Sequence, residues 1–182
     1  MTRRVTISFL LAAALVLSSC VKESREAMYA SQETKIESFV KSQTASMPDA
    51  RVEYNGGSTR IVLAEGSGME LTSRGRTGIL FAGYNFTSGA VSSGTMFATN
   101  NYEFAMSSKW ELSDDSSYEL LEIDMTDKDV IEGLRNGLEG VKEGEECYIL
   151  FSGRHAFGKD KTGTIPANAP LCFRVWVSTV EN

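Results

Sequence analysis

Few residues in this sequence have the types and spacing that catalytic chemistry asks for. His155 is the only histidine. No Ser, Cys or Asp stands at a recognisable spacing from it, so it reads as a loop histidine and not as the base of a nucleophile. His, Cys and carboxylates do not gather at ligand spacing, which leaves a transition-metal site nothing to be built from, and no cofactor is called for. Two of the three cysteines lie in strand-like stretches. Cys147 alternates in phase with Ile149 and Phe151, whereas Leu171, Phe173, Val175 and Val177 form the apolar set of their strand and put Cys172 on the other face with Arg174. One points in and the other out, so they are expected to remain two free thiols.

The third cysteine, Cys20, has a different chemistry. Arg3 and Arg4 precede an apolar run from Val5 to Leu17, which is short for a membrane span and has the layout of a secretory signal peptide. Its end, Leu17-Ser18-Ser19-Cys20, resembles the bacterial lipobox. That implies removal of residues 1–19, acylation of Cys20 and a tether to a membrane of the bacterial cell envelope. Each buried CH₂ of such a chain contributes about 0.8 kcal/mol to anchoring.

The remaining candidates are apolar and lie in the C-terminal third. They run as Val130-Ile131-Glu132-Gly133-Leu134, Gly140-Val141-Lys142-Glu143-Gly144-Glu145, Ala156-Phe157-Gly158, and Gly163-Thr164-Ile165-Pro166-Ala167-Asn168-Ala169-Pro170-Leu171-Cys172-Phe173-Arg174-Val175. In order and spacing this resembles the FKBP-type peptidyl-prolyl cis-trans isomerases. Upstream, Glu65-Gly66-Ser67-Gly68, Phe81-Ala82-Gly83 and Gly94-Thr95-Met96-Phe97 extend the likeness to about residues 50–181.

The resemblance implies an α+β fold, a curved antiparallel sheet wrapped around one short helix, with an apolar pocket for a proline ring. Its partners would be proline-containing polypeptides. The Ile131 backbone N–H would hold a substrate carbonyl, with Phe97 and Phe157 beside it as the other catalytic positions. Phe81, Val130, Leu134, Ile165 and Phe173 would complete the walls, with Leu121 and Ile123 where the family often has two phenylalanines. Taken singly, each of these would pass for ordinary core. The departures weaken the polar grip: Ala98 stands where an Asp is usual, Phe157 and Phe81 replace tyrosines, and Leu134 replaces a tryptophan. Each lost donor costs about 1 kcal/mol. Reduced isomerase activity is expected, and a non-catalytic peptide-binding or chaperone-like lipoprotein, or a subunit of a surface complex, is the alternative.

The elements that must position these residues can be read from pattern. With 182 residues and 42% hydrophobic content the chain has material for one domain with a core. Its formal charge of −6, more negative once Arg3 and Arg4 are removed, argues against a nucleic-acid footprint. Residues 20–32 read as a polar tether. Residues 33–46 form a short extra N-terminal helix with Ile36, Phe39 and Val40 on one stripe. Asn55-Gly56-Gly57 suits a hairpin between strands at 52–54 and 59–64. Strands are expected at 76–86, 96–99, 118–125, 145–152 and 171–180. A helix opens at Thr126 through a Thr126/Asp129 capping arrangement and carries Val130, Leu134 and Leu138 inward. Gly133 inside it costs about 1 kcal/mol relative to Ala, which implies a close approach to something. Residues 84–117 form an insertion, with 100–117 showing no clean period.

Overall fold

The computed structural model describes residues 3–110 and 118–182, with side chains from residue 22 onward within them. Two compact units are present, Met1–Ser31 and Gln32–Asn182. Helix α1 is assigned to Arg3–Ser46. It is longer than the 33–46 helix expected, and the residues read as a tether, 20–32, are helical. Lys, Glu, Arg, Ala and Met dominate Lys22–Met28, and all are strong helix formers even without an apolar period. No helix among the described residues is long and apolar enough to cross a membrane. The Cys20 side chain, expected to carry the lipid, lies outside the described residues.

The second unit is built on a seven-stranded antiparallel sheet. Its strands are β1 (Arg51–Asn55), β2 (Ser58–Ala64), β3 (Arg76–Asn85), β4 (Met96–Thr99), β5 (Leu121–Asp124), β6 (Glu146–Phe151) and β7 (Leu171–Glu181). They lie in the order β1-β2-β6-β7-β3-β4, and β5 also pairs with β3. Gly56 and Gly57 both have positive φ and turn β1 into β2, as the Asn-Gly-Gly signal requires. The long strand β3 serves two partners on one edge: Arg76–Ile79 pair with β5, and Ala82–Tyr84 with β4.

Side-chain alternation divides the sheet into two apolar layers. Ile79, Cys147, Ile149, Phe151, Phe173 and Val175 enter the layer that also receives Leu134 and Leu138. Ala82, Tyr84, Leu150 and Cys172 enter the opposite one, with Ile36 and Val40 of α1. Both cysteines are buried and free. Gln32 ties α1 down by polar means. Its Nε2 donates to the Asn168 carbonyl at 2.8 Å, and its Oε1 accepts from the Gly153 N–H at 2.8 Å.

Two helices complete the unit: α2 (Tyr102–Ser107), whose N-terminus is capped by the Asn101 side chain, and α3 (Glu132–Leu138). The start of α3 differs from the sequence expectation. Thr126 and Asp129 make no capping box. Instead Asp124 accepts from the Thr126 N–H at 2.8 Å and Asp127 from the Asp129 N–H at 2.8 Å. These two short loops, each closed by a carboxylate two residues back, consume the stretch that was expected to be helix. The strand expected at 118–125 shortens to β5, which starts only at Leu121, and Asp124 turns the chain at its other end. Residues 111–117 of the expected insertion lie outside the described residues.

Helix α3 lies against β6 through its glycines. A Cβ on Gly133 would stand 2.2 Å from Phe151 Cγ, and one on Gly137 would stand 2.2 Å from Ile149 Cγ2. The close approach anticipated for Gly133 is therefore to β6. Gly133→Ala is expected to lower stability by about 2 kcal/mol through overpacking, opposite in sign to the gain of about 1 kcal/mol that alanine brings to an exposed helix. Denaturant midpoints of the two proteins measure it, and a more stable variant would contradict the contact.

Candidate functional site

On the α3 side of the sheet, an apolar cavity of about 410 Å³ is lined by Phe81, Phe97, Ala98, Leu121, Glu122, Ile123, Asp127, Asp129, Val130, Ile131, Leu134 and Phe173. Phe173 forms its aromatic centre. Its ring lies 5.8 Å from Phe81, 5.9 Å from Phe97 in an edge-on arrangement, and 6.0 Å from the stacked Phe151. Such pairs hold one another in place beyond their simple area burial.

Each wall has a local cause. Phe173 points inward because its place on β7 alternates with Cys172 and Arg174. Phe81 is fixed through Asn100, a buried side chain that acts as a short substitute strand. Its Oδ1 accepts from the Phe81 N–H at 2.6 Å, and its Nδ2 donates to the carbonyls of Ile79 at 3.0 Å and Glu119 at 2.9 Å. This fills the gap on β3 between the pairing with β5 and the pairing with β4. Phe97 leans over Gly83, where a Cβ would meet its Cζ at 2.6 Å. Ile123 is buried on β5, while Leu121 is 40% exposed at the mouth.

Val130 and Ile131 stand where the loop becomes α3, and Ile131 is its N-cap. The Ile131 N–H makes no hydrogen bond among the described residues, whereas the Gly133 N–H donates to the His155 carbonyl at 2.9 Å. The Ile131 N–H thus remains a free donor at the start of the helix, beside the cavity, where the dipole favours an acceptor. His155 Nδ1 lies 3.5 Å from a Glu132 carboxylate oxygen. The histidine thus serves the helix terminus mainly through its backbone.

The far end of α3 is held by a buried guanidinium. Arg60 is 3% exposed, and its Nη1 donates to the carbonyls of Gly137 at 3.0 Å and Glu139 at 2.7 Å. Its Nη2 bonds Glu53, and its Nε lies 3.3 Å from Glu145. Burial pushes the Glu145 carboxyl up, and the Arg60 charge partly offsets it.

Most of the expected wall residues converge on this cavity. Phe157 and Ile165 do not line it. They pack against the same core layer from the β6–β7 loop, which is folded on itself by bonds from the Gly158 N–H to the Gly153 carbonyl and between Thr162 and Ile165. The residues that sequence reasoning missed are polar: Asn100 and the carboxylates Glu122, Asp127 and Asp129. An Asn-Asn pair straight after a strand was the available signal for Asn100. Among the described residues, no group of three or more His, Cys, Asp or Glu could hold a metal ion.

The family model described as FKBP-type peptidyl-prolyl cis-trans isomerase matches residues 87–178. No curated protein sequence matches. Among solved structures, the chain is similar to the N-terminal domain of FKBP42 from Arabidopsis thaliana, with 17% identity, coverage of 74% of this chain and 94% of that one, and a TM-score of 0.57. It is similar to FkpA from Escherichia coli at 19% identity, covering 100% of this chain and 74% of that one, with a TM-score of 0.56. A peptidyl-prolyl cis-trans isomerase from Pseudomonas syringae pv. tomato matches at 19% identity, with coverage of 86% and 96% and a TM-score of 0.57. At these identities the structures speak for the fold.

Proposed function

Because the chain belongs to the FKBP-type peptidyl-prolyl cis-trans isomerase family, we propose that its cavity takes up the proline ring of a polypeptide and speeds rotation about the X–Pro bond. The observation that carries this reading is the pairing of an aromatic floor, Phe173 with Phe81 and Phe97, with the free N–H of Ile131.

The chemistry asked of the site is modest. An X–Pro bond isomerises unaided over tens of seconds against a barrier of about 20 kcal/mol. Its planar form is favoured by charge separation that water stabilises. An apolar cavity withdraws that water, and a shape suited to the twisted amide binds the transition state better than either planar isomer. Proton transfer and a nucleophile are unnecessary for such a rotation. Leu134 and Val130 supply the apolar side towards α3, and Ile131 supplies the donor for a substrate carbonyl.

Ala98 lines the cavity where the family usually has Asp, and Phe81 carries no hydroxyl. Activity below that of a fully equipped site follows, by about fivefold for each hydrogen bond of about 1 kcal/mol that is missing. The substrates we propose are envelope proteins, reached from a lipid on Cys20. Support for the anchor comes from Leu17-Ser18-Ser19-Cys20 following a basic and then apolar N-terminus.

A protease-coupled assay on X–Pro peptides tests the catalytic reading. The wild-type chain is expected to accelerate isomerisation, and Ile131→Asp, which places a carboxylate at the helix start, to return it to background. Background rates for both proteins would leave a peptide-binding module as the reading. Cell fractionation tests the anchor. Wild-type protein is expected with membranes and Cys20→Ala in the soluble fraction, and equal partition of the two would remove the lipid from the account.

A further inference from the structure

The opposite face of the sheet holds a second pocket, of about 240 Å³, lined by Tyr84, Val91, Ser92, Ser93, Met96, Phe104, Ser108, Tyr148 and Arg174. Its floor comes from three adjacent strands. Tyr148 of β6 pairs with Arg174 of β7, and Tyr84 of β3 pairs with Cys172 two residues before that arginine. Its rim comes from the segment between β3 and the end of α2, part of the stretch read from sequence as an insertion. The proline cavity has no part in it.

Tyr84 is the informative residue. It is 2% exposed, lines the pocket, and its hydroxyl has no hydrogen-bond partner within the described residues. The ring is buried, but the phenol oxygen is not one of the buried atoms left without a partner; it opens onto the pocket, where an entering ligand can bond it. Burial, reinforced by neighbouring Tyr148 and Cys172 and opposed by Arg174, keeps the phenol protonated, so it can donate to an acceptor. Burial acts the same way on Tyr148.

Arg174 adds a cation held rigidly in place. Its guanidinium lies 4.9 Å from the Trp176 ring, 5.3 Å from Phe104 and 5.9 Å from Tyr148. Nε donates to Glu146 at 2.8 Å, and Nη2 to the same carboxylate oxygen. Nη1 has no partner among the described residues. The stacked rings fix the plane of the guanidinium, which lowers the entropic cost of using its remaining edge.

We propose that this pocket binds a carboxylate carried on a short apolar stem. The acid would meet the Tyr84 hydroxyl and the free edge of Arg174, with Tyr148 as a further donor, and the stem would lie against Val91, Met96 and Phe104. A carboxylate is an acceptor that a guanidinium and a phenol can bond together, and its hydrogen bonds to the guanidinium are charge-assisted. The same group arrives either on a free small acid or at the C-terminus of a polypeptide.

The test uses backbone and Trp176 indole N–H resonances of the whole protein. It is titrated with butyrate, with phenylacetate, and with a proline-free tetrapeptide ending in valine as free acid or as amide. Saturable shifts centred on Tyr84, Arg174 and Trp176 are expected from the acids, and none from the amide. Binding by butyrate or phenylacetate identifies a free acid as the source, and binding by the peptide acid alone identifies a chain terminus. Tyr84→Phe deletes only an unpaired hydroxyl, so it is expected to melt no lower than wild type while weakening acid binding by about fivefold or more. Absence of saturable shifts from every acid, equal binding of the amide, or unchanged affinity in Tyr84→Phe would overturn the proposal. No proline peptide is involved, so the outcome is independent of isomerase activity.

Discussion

The closeness of α3 to β6 is the constraint on which the rest of the site depends. Seven residues of helix do not hold together in water unaided, and α3 contains two glycines that weaken it further. Those same glycines admit the Phe151 and Ile149 side chains where a Cβ would collide. The helix is therefore fixed from outside. Ser58 Oγ donates to the Gly133 carbonyl at 2.6 Å, the Gly133 N–H reaches His155, and Arg60 collects the carbonyls at the far end. With the helix so placed, Leu134 closes one side of the cavity and the Ile131 N–H stands free at its edge. A helix standing farther off would widen the cavity and separate that donor from the aromatic floor.

A second consequence comes from the sheet itself. Because successive side chains of a strand point to opposite faces, β7 supplies Phe173 to one cavity and Arg174 to the other, and β6 supplies Tyr148 to the second pocket and Phe151 to the core behind Phe173. The two pockets differ in chemistry for that reason alone. The α3 side is aromatic, with the Ile131 N–H and the carboxylates of Glu122, Asp127 and Asp129 around it. The other side gathers phenols and a guanidinium. An architecture of this kind can change one site by point substitution without disturbing the other, provided the strand register is kept.

Where one face of an element is buried, the sequence was informative. The alternation along β6 and β7 foretold which residues enter the aromatic layer and why Cys147 and Cys172 cannot meet. Asn55-Gly56-Gly57 marked its hairpin, and Gly133 signalled a close contact. What stayed hidden depends on tertiary pairing. Asn100 looks like any loop polar residue until β4 and β5 are seen to leave a gap on β3. Arg60 directly precedes the apolar run Ile61–Ala64 of β2, and its role appears only when the α3 carbonyls and Glu145 surround it. Asp124 and Asp127 could cap a helix or close short turns, and the turns won. The path of the β6–β7 loop, which keeps Phe157 and Ile165 out of the cavity lining, follows from hydrogen bonds within the loop that no periodicity reports.

The most direct test of the account is an NMR titration of the isotopically labelled chain with a short unlabelled X–Pro peptide. The prediction is a contiguous set of shifts at the Ile131 N–H, Phe81, Phe97, Leu134 and Phe173, with exchange broadening as the bound peptide interconverts between isomers. Shifts confined to other surfaces, or none at these five residues, would contradict the assignment of the cavity between α3 and the sheet as a proline site.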